Sequence, residues 1–147
     1  MAGSRKIRGF TIGPRLSNPK SVEMHENAAL FLHDATHLGK QATAGQFVLF
    51  VHAIELSIQS FLHGKGYDLR GMRLGFAHDL DDLLKEARRV GLAVSEPDTD
   101  SVISYLNKYT RSVIRYDFAF AMPLVSDVLR VTKALAKDTK PVLSPIT

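Results

Sequence analysis

A chain of 147 residues, 45% hydrophobic and 23% charged, has the size and composition of one globular domain, and folding at this length buries roughly two-thirds of the unfolded surface. Cysteine is absent, which excludes disulfides and thiolate metal sites and fits a reducing compartment. The net charge of +4 is unevenly spread: Arg5, Lys6, Arg8, Arg15 and Lys20 put +5 in the first twenty residues with no acid, and the remainder, with 14 Lys+Arg against 15 Asp+Glu, stands at −1.

Residues 1–17 therefore read as a flexible basic arm. It has no apolar core of the kind a signal peptide needs. Its charge could touch RNA or an anionic surface without sequence preference; a solubilising tail is the plainer alternative. From there to residue 138 the periodicity is helical. Ser17 or Asn18 can cap a first helix with Pro19 in its first position, running to about Leu38 before Gly39. A second helix, about 45–63, carries apolar residues around most of its circumference: Phe47, Val48, Phe50, Val51, Ile54, Ile58, Phe61 and Leu62. That is the pattern of a central helix with neighbours on several sides, and its most apolar stretch, "FVLFVHAIELSI", is too short, and carries His52 and Glu55, so it reads as a buried helix and not a membrane span.

"HGKGYDLRGMRLGFA" follows and reads as a long irregular connection. A third helix should run from about Asp79 to Val90, with Leu80, Leu83, Leu84 and Ala87 on one face and Gly91 closing it. The turn "SEPDTD", with cap candidates Asp98 and Thr99, leads to a fourth helix over 99–115. "YDFAFAMP" breaks the pattern, and its Phe118, Phe120 and Met122 suit either core or a dimer patch. Pro123 opens a fifth helix to about Lys137, and 139–147 is a loose tail with two prolines. No stretch is a convincing strand. The expectation is an all-α antiparallel bundle of about five helices spanning 18–138, in a cytoplasmic protein.

His78-Asp79, at the head of "LDDLLKEA", admits three readings. Asp79 can cap the helix, with Asp81 and Asp82 favouring the positive end of its dipole. The pair can instead be the doublet of an HD-type metal phosphohydrolase, with His33, His37 or His52 as the early ligand and Asp127 as the late one. Against this, an irregular "RGMRLGFA" precedes the doublet and a helix begins at the Asp. His33 and His37, at i and i+4, could share a divalent ion on one helical face, but the residue after the first His is Asp34 rather than Glu and no third ligand is evident. The third reading pairs His78 with Arg73, four residues separating them. A His serves as general acid or base near neutral pH and an Arg stabilises a phosphate, which suffices for metal-free RNA cleavage through the ribose 2′-hydroxyl.

Taken in order, "HAIELSIQSFLHGKGYDL", "HDLDDLLKEARRVGL" and "LNKYTRSVIRYDF" resemble the HEPN superfamily of bacterial helical domains, over about residues 28–135. The resemblance implies a four- or five-helix bundle, often a homodimer, without metal or cofactor. Many members of that superfamily are metal-independent ribonucleases of toxin–antitoxin, defence or RNA-processing systems. Others are non-catalytic nucleotide-binding or scaffolding partners, some beside small nucleotidyltransferases. Catalytic members carry an Arg, four to six residues and a His near the start of a late helix. Here that region, "TRSVIRYDFAF", has no His, and Gln59 stands where a Lys is common.

The expected function is accordingly an RNA- or nucleotide-associated binding or scaffolding module, and the resemblance adds an antitoxin or a nucleotidyltransferase as the kind of protein partner; the alternative is a ribonuclease using Arg73 and His78. The candidate binding residues are Arg111 and Arg115, one turn apart, with Asn107 a turn earlier and Tyr109 and Tyr116 beside them, a set able to hold phosphates and stack bases. A solvated face with Arg stems packed on the bundle is the plainer account. Glu55 belongs to the most buried helix and needs a partner. His52, Gln59 and His63 could make a polar seam with it, or Arg111 or Arg115 could reach it across the bundle. Arg88 and Arg89 look like complements to the C-terminal end of a helix dipole.

Overall fold

The computed structural model describes residues 5–7, 10–12, 19–38, 44–76, 79–113 and 124–141, with side chains over 19–38, 45–72, 79–108 and 124–141. Six helices make up the bundle among these residues: α1 (Pro19–His37), α2 (Ala44–Gly64), α3 (Leu69–Phe76), α4 (Leu80–Arg89), α5 (Thr99–Val113) and α6 (Val125–Asp138). Ahead of them a short antiparallel pair, β1 (Arg5–Ile7) and β2 (Phe10–Ile12), lies in the basic arm, with Arg5 opposite Ile12 and Ile7 opposite Phe10. "RKI" and "FTI" are separated by two residues, the second a glycine, which is the spacing of a tight hairpin.

α2 is the central element, in contact with α1, α4, α5 and α6. Phe47, Phe50, Ile54, Ile58 and Leu62 are fully buried along it, and Phe61 nearly so. Val48 and Val51 are only half-buried, so its apolar girdle is incomplete. Gly45–Gly64 has the length and hydropathy of a membrane span, but more than half of it is buried inside the bundle, which accounts for its apolar character without a bilayer. Polar ties supplement the apolar packing of α1: the Ser21 hydroxyl donates to the Ser60 carbonyl at 2.7 Å. His25 Nε2 lies 2.6 Å from the Ala136 carbonyl of α6; a carbonyl only accepts, so that nitrogen carries the proton.

Two helices end alike. After α2, Gly66 (φ 100°) donates to the His63 carbonyl and Tyr67 to that of Leu62. After α4, Gly91 (φ 108°) donates to Arg88 and Leu92 to Ala87. Each is a Schellman closure, in which a left-handed residue turns the chain and lets the next one bond back to the last free carbonyls. In both, that next residue, Tyr67 or Leu92, enters the core.

The connection read as irregular contains α3. Asp68 starts it: its carbonyl accepts from Met72 and its carboxylate from Gly71 at 3.2 Å. Met72, 2% exposed, docks the short helix on the core, which offsets the roughly 1 kcal/mol that each of its two glycines costs in a helix. α6 begins at Val125, two residues after Pro123, with Leu124 at its cap and no side-chain capping bond.

Between α4 and α5, the "SEPD" turn is held to α6. The Asp138 carboxylate accepts from the backbone N–H and the hydroxyl of Ser95, both at 2.8 Å. Arg130 reaches Glu96 at 3.2 Å, Asp98 at 2.7 Å and Asp127 at 3.0 Å. The contacts to Glu96, and then to Asp127, raise the Arg130 pKa further above its ordinary value.

Candidate functional site

At the N-terminus of α4 the structure brings together two residues that the sequence singles out, Asp79 and Asn107. Asp79 is the cap, its carboxylate accepting from the Asp82 N–H at 3.1 Å. It satisfies one of the donors that every helix start leaves free. A second comes from another helix: the buried Leu80 N–H donates to Asn107 Oδ1 at 3.1 Å. The same amide donates through Nδ2 to Asp79 at 3.1 Å and to Asp81 at 3.0 Å, and the Ser104 hydroxyl donates to Asp81 at 3.0 Å. Asn107 is 6% exposed. The amide expected at the head of an arginine strip thus lies against α4 as a second cap delivered by α5. The same α4–α5 contact explains Arg88, in the last turn of α4, whose guanidinium meets Asp100 of α5 at 2.9 Å.

Of the other candidates, Arg73 belongs to α3, and Tyr109 and Arg111 to α5, where position 111 is one turn beyond Asn107; their side chains lie outside the described residues, as do His78, Arg115 and Tyr116 altogether. Glu55 is buried in α2, 8% exposed. The residues expected to form a seam with it make contacts in several directions. His52 stacks on Phe31 of α1 with centroids 5.2 Å apart. Gln59 lines a groove with Lys20, Met24, Asn27 and Met72. His63 Nδ1 donates to the Tyr67 carbonyl at 2.7 Å.

Several residues of the metal readings have visible neighbours. His33 and His37 lie one turn apart on α1 with their rings tilted by 43° and centroids 4.2 Å apart, and His37 Nδ1 is bonded to the His33 carbonyl at 3.0 Å. Asp127 pairs with Arg130. Among the described residues, no three His, Asp or Glu side chains come together as a ligand set.

One polar cluster has no forerunner in the sequence. The Tyr67 hydroxyl donates to Glu86, and Arg89 grips the same carboxylate with Nε at 2.7 Å and a terminal nitrogen at 2.8 Å. Glu86 and Arg89 are neighbours on α4, whereas Tyr67 arrives from the closure of α2, so only the three-dimensional packing brings them together. Burial, and then Glu86, push the Tyr67 pKa well above the usual tyrosine value. Above about pH 10, an unfolded tyrosine loses the proton that the folded one keeps, so this contribution to stability is full below that pH and falls as pH rises. Tyr67→Phe should remove this part of the alkaline slope. Urea midpoints measured from about pH 8 to 11 for both proteins should converge as pH rises; parallel curves would show that Tyr67 has no such linkage.

Comparison of the chain with protein-family models, with curated proteins and with solved structures finds no match.

Proposed function

We propose that this chain is an HEPN-like, non-catalytic binding module for RNA or nucleotide, with its basic N-terminal arm making the main electrostatic contact. The observation that carries this reading is the segregation of charge: five cations and no acid in the first twenty residues, in a segment that contains an antiparallel β-ribbon, ahead of a helical body near neutrality. The engagement of Asn107 with α4 also favours a structural over a ligand-reading role for that residue. A protein partner, of the antitoxin or nucleotidyltransferase kind, fits the same scaffolding role.

The test is fluorescence anisotropy with a labelled single-stranded RNA, titrated at several salt concentrations. If four to five arm cations meet phosphates, log K should fall with log salt at a slope of about −3, a loss of roughly 50-fold between 50 and 200 mM salt. Replacing Arg5, Lys6, Arg8 and Arg15 together by Gln should cut the slope to near zero and abolish tight binding. An unchanged slope in that variant would remove the arm from the contact. RNA cleavage in EDTA that disappears in His78→Ala would replace this reading with a metal-independent nuclease.

A further inference from the structure

α1 ends on two imidazoles. His33 and His37 are both exposed, with ring centroids 4.2 Å apart. What each ring does with its Nδ1 decides what its other nitrogen is free to do. His37 Nδ1 lies 3.0 Å from the His33 carbonyl. A carbonyl only accepts, so Nδ1 carries the proton and Nε2 keeps a lone pair. His33 Nδ1 faces the Asp34 carboxylate at 3.6 Å. A negative oxygen there favours the proton on the same nitrogen, which again leaves Nε2 as the basic atom. Both rings are thus set in the tautomer that binds a metal ion through Nε2, and a carboxylate behind one of them is the usual outer partner of such a ligand.

The spacing of the rings selects the ion. Two side chains fall short of the three or four ligands that zinc sites take from a protein. An ion that prefers square or tetragonal coordination can take two neighbouring positions from the chain and water at the rest. With metal–nitrogen bonds of about 2.0–2.1 Å, the ring centres lie roughly 3.2 Å from the ion; at a right angle they stand about 4.5 Å apart, and at a tetrahedral angle about 5.2 Å. The observed 4.2 Å is nearer the former. Charge agrees with this. His37 is the last residue of α1, so an ion between the rings sits at the negative end of the helix dipole, and residues 30–38 hold Asp34 and no Lys or Arg.

We propose that His33 and His37 form a two-histidine site for a divalent transition cation of tetragonal preference, Cu²⁺ or Ni²⁺, with Asp34 orienting His33. The ion clamps the last turn of α1 and leaves its remaining positions to water or to a ligand from outside. The proposal does not rest on the RNA reading.

Titration of the full-length chain with Cu²⁺ in a non-coordinating buffer, followed by calorimetry and electron paramagnetic resonance, tests it. The expected result is one ion per chain, saturating at micromolar concentrations, with the spectral signature of two bound imidazoles. His33→Ala and His37→Ala should each leave one imidazole in the spectrum and weaken binding at least ~10-fold. Their helical circular dichroism should be unchanged, because both side chains are exposed. His37→Ala combined with Leu38→His keeps the six histidines of the chain but moves the second ring about 100° further round the helix. It should bind no better than His37→Ala. Asp34→Asn should keep both imidazoles and weaken binding by up to ~10-fold. Zn²⁺ should bind at least ~10-fold more weakly than Cu²⁺. Saturation only at millimolar Cu²⁺ would overturn the proposal, as would an affinity that survives either alanine change or is restored by the histidine at position 38. Zn²⁺ binding as tight as Cu²⁺ would overturn the tetragonal assignment, and an Asp34→Asn variant as tight as wild type would remove Asp34 from the site.

Discussion

Replacing Asn107 with alanine should lower stability by about 2–3 kcal/mol, because one amide serves two helices. Its loss strips the buried Leu80 N–H of its acceptor and takes a donor from both Asp79 and Asp81. For a chain of this size the melting temperature should fall by roughly 5–10 °C. Asn107→Asp separates the two contributions. It keeps an acceptor for Leu80 but turns a third carboxylate toward the two already present. That repulsion raises carboxylate pKa values in the folded state above the unfolded ones, so the folded protein binds more protons as pH falls. The penalty of Asn107→Asp relative to wild type should therefore be largest at neutral pH and shrink toward about pH 4. Urea melts of the three proteins at both pH values check this. A penalty that is the same at both would mean that the third charge is not felt, and an alanine variant as stable as wild type would mean that the amide stabilises nothing.

Asp79 and Asn107 mark how far the sequence could be read at this site. Asp79 was legible because capping is local: an Asp ahead of "LDDLL" meets N–H groups only a few residues away. Asn107 was legible as a polar residue on the fourth helix, but not as a cap, because its partner lies 27 residues earlier and the contact depends on how α5 crosses α4. The same distinction runs through the fold. The glycine closure after α4, the proline start of α1 and the amphipathic face of α4 rest on neighbours within a turn or two, and the limits of the five expected helices agree to within a few residues. α3 was missed because its glycines argue against a helix, while the burial of Met72 that holds it is a tertiary effect. The β-ribbon was missed because three-residue strands carry almost no periodicity, although the two-residue, glycine-containing spacing was there to be noticed. Tyr67–Glu86–Arg89 was invisible for the same reason as the Asn107 cap.

Phe50→Ala should be the more damaging truncation, costing about 3–5 kcal/mol. The ring is fully buried, set obliquely to Phe47 with centroids 6.5 Å apart, and it stands on the helix that touches α1, α4, α5 and α6. Removing it leaves a void among elements that all depend on α2, and packed helices close such a gap only in part. Domains of this kind have a total stability of only about 5–15 kcal/mol, so the variant should either melt some 10 °C or more below wild type or fail to fold. Two controls give the result meaning. Phe50→Leu retains most of the volume and should cost less than about half as much. Leu56→Ala lies on the same helix, but its side chain borders the open groove rather than the core, and it should cost no more than about 1 kcal/mol, because the groove can rehydrate without leaving a cavity. Urea unfolding measures all three. If Leu56→Ala proved as costly as Phe50→Ala, the groove side of α2 would be core, and the division between a packed face and an open one would be wrong. With the expected order, α2 holds the bundle together through its buried residues, and Leu56 borders an open groove rather than the core.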